Sequence, residues 1–88
     1  MNFIYLKQTI EKAINESRFL KLDYVSKKGE ITNDRCVEPI EIKYKDGEPF
    51  ELYCNDFSRK GDFRALQFDG IQKIEVISPT EVTYATTS

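Results

Sequence analysis

The chain has 88 residues, of which 40% are hydrophobic and 32% charged, and its formal net charge is -2. This length predicts a single domain, and the negative charge argues against a protein that holds duplex DNA by bulk electrostatics, because such proteins are basic. The sequence contains no histidine, which removes the commonest general base and the commonest metal ligand.

The first segment has the hydrophobic period of an α-helix, which we place at about residues 3–16. Asn2 is a residue type suited to the N-cap, and Asn15 and Ser17 are suitable stop signals. The apolar side chains that recur on one helix face are Phe3, Leu6, Ile10 and Ala13 or Ile14.

After the helix the hydrophobic period changes to two, which predicts strands over about residues 18–77. The first strand has Leu20, Leu22 and Tyr24 on one face, and it ends in a turn at 26–29. The second strand covers roughly 31–44 and contains Pro39.

The alternation of apolar residues changes phase within this second strand. Ile40, Ile42 and Tyr44 alternate after the proline, whereas Val37 before it has the opposite parity. A bulge or sharp bend at Glu38-Pro39 would bring both groups to the core. Long bent strands of this kind close a small sheet into a barrel.

Three further strands follow. Asp46-Gly47 predicts a hairpin connection, after which Phe50, Leu52 and Cys54 share the core face of the third strand. A turn at 58–62 precedes the fourth strand at about 63–68, and a turn at Asp69-Gly70 precedes the fifth at 71–77. We place the domain at 1–79 and a C-terminal tail at 80–88, which either frays or adds an edge strand at 81–85.

The fold class predicted by this order is mainly β with one N-terminal helix, as a small five-stranded antiparallel SH3/Sm-like barrel. An open α+β roll is the alternative. Because Sm-like barrels leave edge strands open and 71–77 carries little protective charge, we also expect a dimer or a higher oligomer.

The two cysteines, Cys36 and Cys54, are not spaced as a metal site or redox motif. We expect both to be reduced and partly buried, since free cysteine behaves as a small hydrophobe; a disulfide in an oxidising compartment is the alternative. The start lacks the pattern of a signal peptide, and no stretch approaches about 18 apolar residues. We therefore expect a cytoplasmic protein with no contact with a membrane.

Four motifs occur in order along the strands: Leu22-Asp23-Tyr24, Arg35-Cys36-Val37-Glu38-Pro39, Phe50-Glu51-Leu52, and the segment from Phe63 to Ile71. Together they resemble the WYL domain family as an isolated single domain, over roughly residues 10–77. The sequence departs from the family at three points: Phe50-Glu51-Leu52 stands where Trp-Tyr-Leu is usual, Gly70 stands where an arginine is usual, and a loop histidine is missing.

The resemblance implies an Sm-like fold and a regulatory module that senses single-stranded nucleic acid or a nucleotide. Such domains usually follow a winged-helix DNA-binding domain in bacterial and phage transcriptional regulators, or accompany CRISPR systems. The alternative is a protein-interaction or oligomerisation module that docks on a regulator or effector protein. The residues show no nucleophile–base arrangement, phosphate loop or metal box, so we expect neither an enzyme nor a cofactor.

Two arginines are the main candidates for ligand contact. Arg64 has the parity of Leu66 and Phe68, and an unpaired guanidinium in an apolar core is unfavourable. Arg64 must therefore lie at the barrel rim, pair with a carboxylate or receive an anionic ligand, for which its planar fork is suited. The resemblance implies that Arg64 and Arg35 both face the ligand; for Arg35, an exposed strand charge is the alternative.

Four other residues complete the predicted site. Tyr53 has the parity opposite to Leu52, so we expect it at the surface, where its ring can stack on a base. Tyr24 is a second stacking candidate, although core packing fits its inward parity. The resemblance implies a polar contact at Ser26, with a turn role as the alternative. Lys28 in the same turn is either a ligand contact or a solvated charge.

Overall fold

The computed structural model describes residues 2–78 of the chain, so the predicted tail at 80–88 and the boundary at residue 79 lie outside the described residues. The elements are α1 (Phe3–Asn15), β1 (Phe19–Val25), β2 (Ile31–Lys45), β3 (Glu48–Asp56), a 3₁₀ helix (Phe57–Arg59), β4 (Asp62–Gln67), a second 3₁₀ helix (Phe68–Gly70) and β5 (Ile71–Ile77). The predicted fold class, mainly β with one N-terminal helix and five antiparallel strands, is confirmed.

The boundaries of α1 follow from capping. The Asn2 side chain accepts a hydrogen bond of 2.7 Å from the Ile4 backbone N–H, as expected of an N-cap. At the other end Ser17 adopts a positive φ of 54°, and the Arg18 N–H donates to the carbonyl of Ala13 at 2.8 Å, which is the bonding pattern of a Schellman motif. The predicted helix is therefore correct to within one residue.

One face of α1 covers the inner face of the sheet. Leu6, Ile10 and Ala13 are fully buried, whereas Phe3 remains partly exposed and packs the edge of its ring against Phe68, with centroids 5.7 Å apart. No helix among residues 2–78 is long and apolar enough to cross a membrane.

The sheet has the strand order β4-β3-β2-β1-β5, and every neighbouring pair is antiparallel. In a flat sheet the edge strands β4 and β5 would lie four strand spacings apart, about 19 Å. The segment that joins them is a 3₁₀ helix of 3 residues, and even a fully extended connection between their ends reaches only about 14 Å. The sheet must therefore curl around its inner face, as a barrel requires.

The long strand β2 contains the bulge that parity predicted. Pro39 is opposite Cys54, but Glu41 is opposite Tyr53, so Ile40 is an extra residue in the ladder. The shift lies immediately after Pro39 rather than at Glu38-Pro39.

Three residues expected in the core are more exposed than predicted. Beyond the bulge, β2 continues past the end of β1, and Ile40 and Tyr44 are 43% and 49% exposed. Phe50 is also exposed, because it lies near the open end of the same hairpin with the Lys45 ammonium 5.1 Å from its ring centroid. Their assignment to the core was wrong, whereas Leu52 is fully buried as expected.

The hairpin turns follow the predicted chemistry. Asp46 and Gly47 both have positive φ, 53° and 81°, as a two-residue type I′ turn requires. At the β1–β2 turn, the Ser26 hydroxyl accepts hydrogen bonds from the backbone N–H groups of Lys28 and Glu30, at 3.2 and 3.1 Å. Ser26 therefore has the turn role that was the alternative for it.

Candidate ligand site

Arg35 is buried, with only 6% of its surface exposed. Its position opposite Leu22 places it on the inner face of the sheet. Nε donates to Asp56 Oδ2 at 2.9 Å and Nη2 bonds the same oxygen, while Nη1 donates to Thr32 Oγ1 at 3.2 Å. The guanidinium also lies over the Tyr24 ring, 5.4 Å from its centroid. The interpretation of Arg35 as an exposed strand charge was wrong.

Asp56 is one of two residues that sequence reasoning missed. It is fully buried, and its second carboxylate oxygen accepts a hydrogen bond of 2.9 Å from the Ser58 N–H, which caps the following 3₁₀ helix. The Ser58 hydroxyl in turn accepts from the Cys36 N–H at 3.1 Å. Asp56 has the parity of Leu52 and Cys54, and this inward parity was the signal that could have found it.

Arg64 lies at the rim of the same inner face. It is opposite the buried Cys54 in register, so its predicted parity is correct, but it belongs to an edge strand and 39% of its side chain is exposed. Nη2 lies 3.8 Å from a carboxylate oxygen of Asp62, and Nη1 donates to the Phe63 carbonyl at 3.2 Å. Of the three possibilities predicted for Arg64, the structure shows the position at the rim.

The two arginines are joined through neighbouring aspartates. Asp56, which binds Arg35, is opposite Asp62 in the β3–β4 ladder, and Asp62 approaches Arg64. Tyr53 does not share this face, because it has the opposite parity in β3 and lies opposite Ala65.

On the outer face Tyr53 forms an aromatic pair with Phe63. The ring centroids are 5.2 Å apart in an edge-to-face arrangement, and the Lys43 ammonium lies 5.5 Å from the Tyr53 centroid. Phe63 is more than half exposed and was not among the predicted site residues. Its parity, opposite to that of Leu66, would have indicated a surface ring.

Tyr24 is a core residue, since its ring is buried and its hydroxyl accepts a hydrogen bond of 3.0 Å from the Gln67 N–H. Ser26 borders a shallow cleft of about 390 Å³ that Gln67 and Gly70 also line. A Cβ atom on Gly70 would meet the Val25 carbonyl oxygen and lie 2.7 Å from Tyr24 Cε1, so the backbone and ring have no room here for a side chain at position 70. Lys28 is exposed in the adjoining turn.

Both cysteines are buried free thiols, as expected. Burial, reinforced by the negative charge of Asp56, raises the pKa of the Cys54 thiol from 9.0 to about 12. Cys54 is therefore protonated at neutral pH and has little nucleophilic character. Among residues 2–78 no group of three or more His, Cys, Asp or Glu side chains is placed to hold a metal ion.

Comparison with known proteins supplies a family and a fold. The family model for the WYL domain matches residues 6–76. Among solved structures, proteasome accessory factor B/C (PafBC) of Arthrobacter aurescens superposes with a TM-score of 0.65 at 24% sequence identity. The match covers 94% of this chain but only 12% of that protein. At this level of sequence identity it shows a shared fold. No curated protein matches the chain.

Proposed function

The chain belongs to the WYL domain family, and from that membership we propose that it senses a phosphate-bearing ligand, single-stranded nucleic acid or a nucleotide, through Arg64. Family membership supports a regulatory ligand-sensing module over an enzyme. A setting in bacterial or phage transcription regulation, or in CRISPR-associated defence, is part of this proposal.

The observation that carries the proposal is the difference in accessibility between the two arginines. The Arg35 guanidinium is already bonded through all three nitrogens, whereas Arg64 is partly exposed and only 3.8 Å from its nearest carboxylate. An exposed ion pair of that kind is worth at most about 1 kcal/mol. A phosphate that receives both arms of the fork can therefore replace Asp62 at little cost.

The aromatic pair favours a strand over a single nucleotide. Tyr53 and Phe63 lie on the outer face of β3 and β4, and Arg64 reaches the rim of β4 from the other face. A flexible polynucleotide can place a phosphate at Arg64 and stack a base on Phe63, which is sequence-tolerant. The net charge of -2 predicts weak, salt-sensitive binding in the absence of specific contacts.

The other predicted residues have different parts in the proposal. Arg35 and Tyr24 act as positioning residues that fix the inner face beneath Arg64. Ser26 borders the separate cleft that Gln67 and Gly70 line, and Lys28 is exposed in the adjoining turn, so replacement of Lys28 by alanine is expected to change ligand binding much less than replacement of Arg64.

The test is a fluorescence anisotropy titration with short single-stranded DNA, single-stranded RNA and nucleoside triphosphates at two salt concentrations. Loss of a charge-assisted bond of about 1.5–3 kcal/mol predicts that Arg64→Ala weakens binding roughly 10- to 100-fold. Arg64→Lys should recover only part of this, since an ammonium lacks the fork.

Arg18→Ala is the matched control. Arg18 is similarly exposed, at 46% of its side chain, and is paired with Glu16 at 2.9 Å, so its removal changes the net charge equally without touching the candidate site. Equal effects of the two alanine variants would show that only general electrostatics operates, and the proposed site would then be rejected.

A further inference from the structure

An apolar groove lies between α1 and residues 40–44 of β2. Its volume is about 430 Å³, and it shares no lining residue with the surroundings of Arg64. The apolar side chains of the groove are Ile14, Ile40, Ile42 and Tyr44, and the polar ones are Glu11, Asn15 and Glu41.

The bulge in β2 produces this groove. Because β2 extends beyond β1 after the bulge at Ile40, its last residues face α1 without a neighbouring strand on that side. The exposed Ile40 and Tyr44 therefore line one groove together with Ile14 on the helix. A cleft of this volume, lined by apolar side chains and a few polar groups, has the form of a typical binding site.

The charges around the groove indicate what kind of segment fits it. Glu11 and Glu41 both line it, and within residues 2–78 neither carboxylate takes part in an ion pair. Lys7 lies with its ammonium 5.7 Å from the Tyr44 ring centroid, at the edge of the groove. Two unpaired carboxylates above an apolar floor disfavour a phosphate and favour a cationic side chain flanked by apolar ones.

We propose that this groove binds a segment of a partner protein that carries two apolar anchors with an arginine or lysine between them. The apolar anchors pack against Ile40, Ile42 and Tyr44, and the cation lies between Glu11 and Glu41. The phosphate ligand of Arg64 and this basic segment differ in charge and occupy different surfaces, so the proposal does not depend on the proposed function.

The probe is a synthetic 12-residue peptide, long enough for about three helical turns, with two leucines four positions apart and one arginine between them in an alanine–serine background. A second peptide has glutamate in place of that arginine. NMR titration of isotope-labelled full chain should show shifts confined to residues 11–15 and 40–44. The arginine peptide should bind at least about tenfold more tightly than the glutamate peptide, a difference of about 1.4 kcal/mol.

Three variants sharpen the test. Glu41→Lys should reverse the preference between the peptides, and Ile40→Ser should weaken both; each side chain is exposed, so the urea midpoint should hardly change. Arg64→Ala should bind the arginine peptide as the parent chain does, which separates failure of this proposal from failure of the proposed function.

Four results would overturn the proposal. Equal binding of both peptides would remove the role of the carboxylates, and shifts outside the groove, or no binding at millimolar peptide, would remove the site itself. Sedimentation that reveals a dimer which Ile40→Ser abolishes would show that a second copy of the chain covers the groove instead.

Discussion

Arg35 and Arg64 have the same side chain and the same inward parity, yet one is enclosed and the other is accessible. Arg35 is on β2, which has β1 on one side and β3 on the other, and the carboxylate of Asp56 is within bonding distance. Arg64 is on β4, which has a neighbour only on one side. The position of the strand within the sheet, rather than the parity of the residue along the strand, decides whether an inward-facing arginine is buried in an ion pair or remains accessible to a ligand.

Removal of the buried Arg35 guanidinium should destabilise the fold strongly. Arg35→Ala leaves the fully buried Asp56 carboxylate without its cation, and loss of one partner of a buried pair costs about 3–5 kcal/mol. We therefore expect a large fall in the free energy of unfolding, measured by urea denaturation.

The double variant Arg35→Met, Asp56→Leu provides the control. Because it removes both charges together, it should recover much of the stability lost in Arg35→Ala, although it also loses the cap on the Ser58 N–H. A double variant as unstable as the single one would show that packing, and not the uncompensated charge, is responsible.

A second test concerns the ring beneath the Arg35 guanidinium. Gly70→Ala places a Cβ atom against the Val25 carbonyl oxygen and 2.7 Å from Tyr24 Cε1, and overpacking of this kind costs about 1–3 kcal/mol. We expect the urea midpoint to fall and the near-ultraviolet circular dichroism to change. An unaltered midpoint would show that the Val25 backbone and the Tyr24 ring both yield to the added methyl group, and the packing beneath Arg35 would then be looser than described.

Cys54, opposite Arg64 in register and near Asp56, gives a pH-dependent test. Its thiol pKa is about 12 when folded against 9.0 for the ordinary group, so between these values the unfolded chain loses the proton while the native chain keeps it. The protonated Cys54 thiol therefore contributes to the free energy of unfolding. This contribution is fully present below pH 9 and is lost as the pH rises toward 12, with a slope of at most about 1.4 kcal/mol per pH unit. Cys54→Ala should flatten the stability curve above pH 9 relative to the parent chain.

The smallest expected effect is the stability change for Arg64→Ala. Its exposed, loosely paired guanidinium should contribute less than about 1 kcal/mol to folding, whereas its contribution to ligand binding should be larger. A loss of stability comparable with that of Arg35→Ala would make Arg64 a structural residue and remove the basis of the proposed function.

Local patterns were sufficient for most of the fold. The period of three to four residues located α1, and alternation together with Asp46-Gly47 located the strands and one hairpin. The change of parity around Pro39 predicted the bulge to within about one residue. These signals lie within a few residues of the feature they specify, so they can be recognised in the sequence without knowledge of the tertiary structure.

The site was harder to predict because its contacts are not local. Arg35 and Asp56 are 21 residues apart, and parity gives the face of a side chain but not its depth. The exposure of Tyr44 and Phe50 likewise depends on how far β2 and β3 extend beyond β1. Phe63 was missed because its importance comes from Tyr53 on the neighbouring strand.

The pairing of β5 with β1 constrains the order in which the chain can fold. Three of the four strand pairings join neighbours along the chain, but Phe19 is opposite Ile77, so this contact closes a loop that contains all five strands. Closure on that scale is entropically costly before its contacts are gained. The three hairpins can form first and β5 docks last, so a substitution at Ile77 should accelerate unfolding and leave the folding rate nearly unchanged, the kinetic signature of a φ-value near zero.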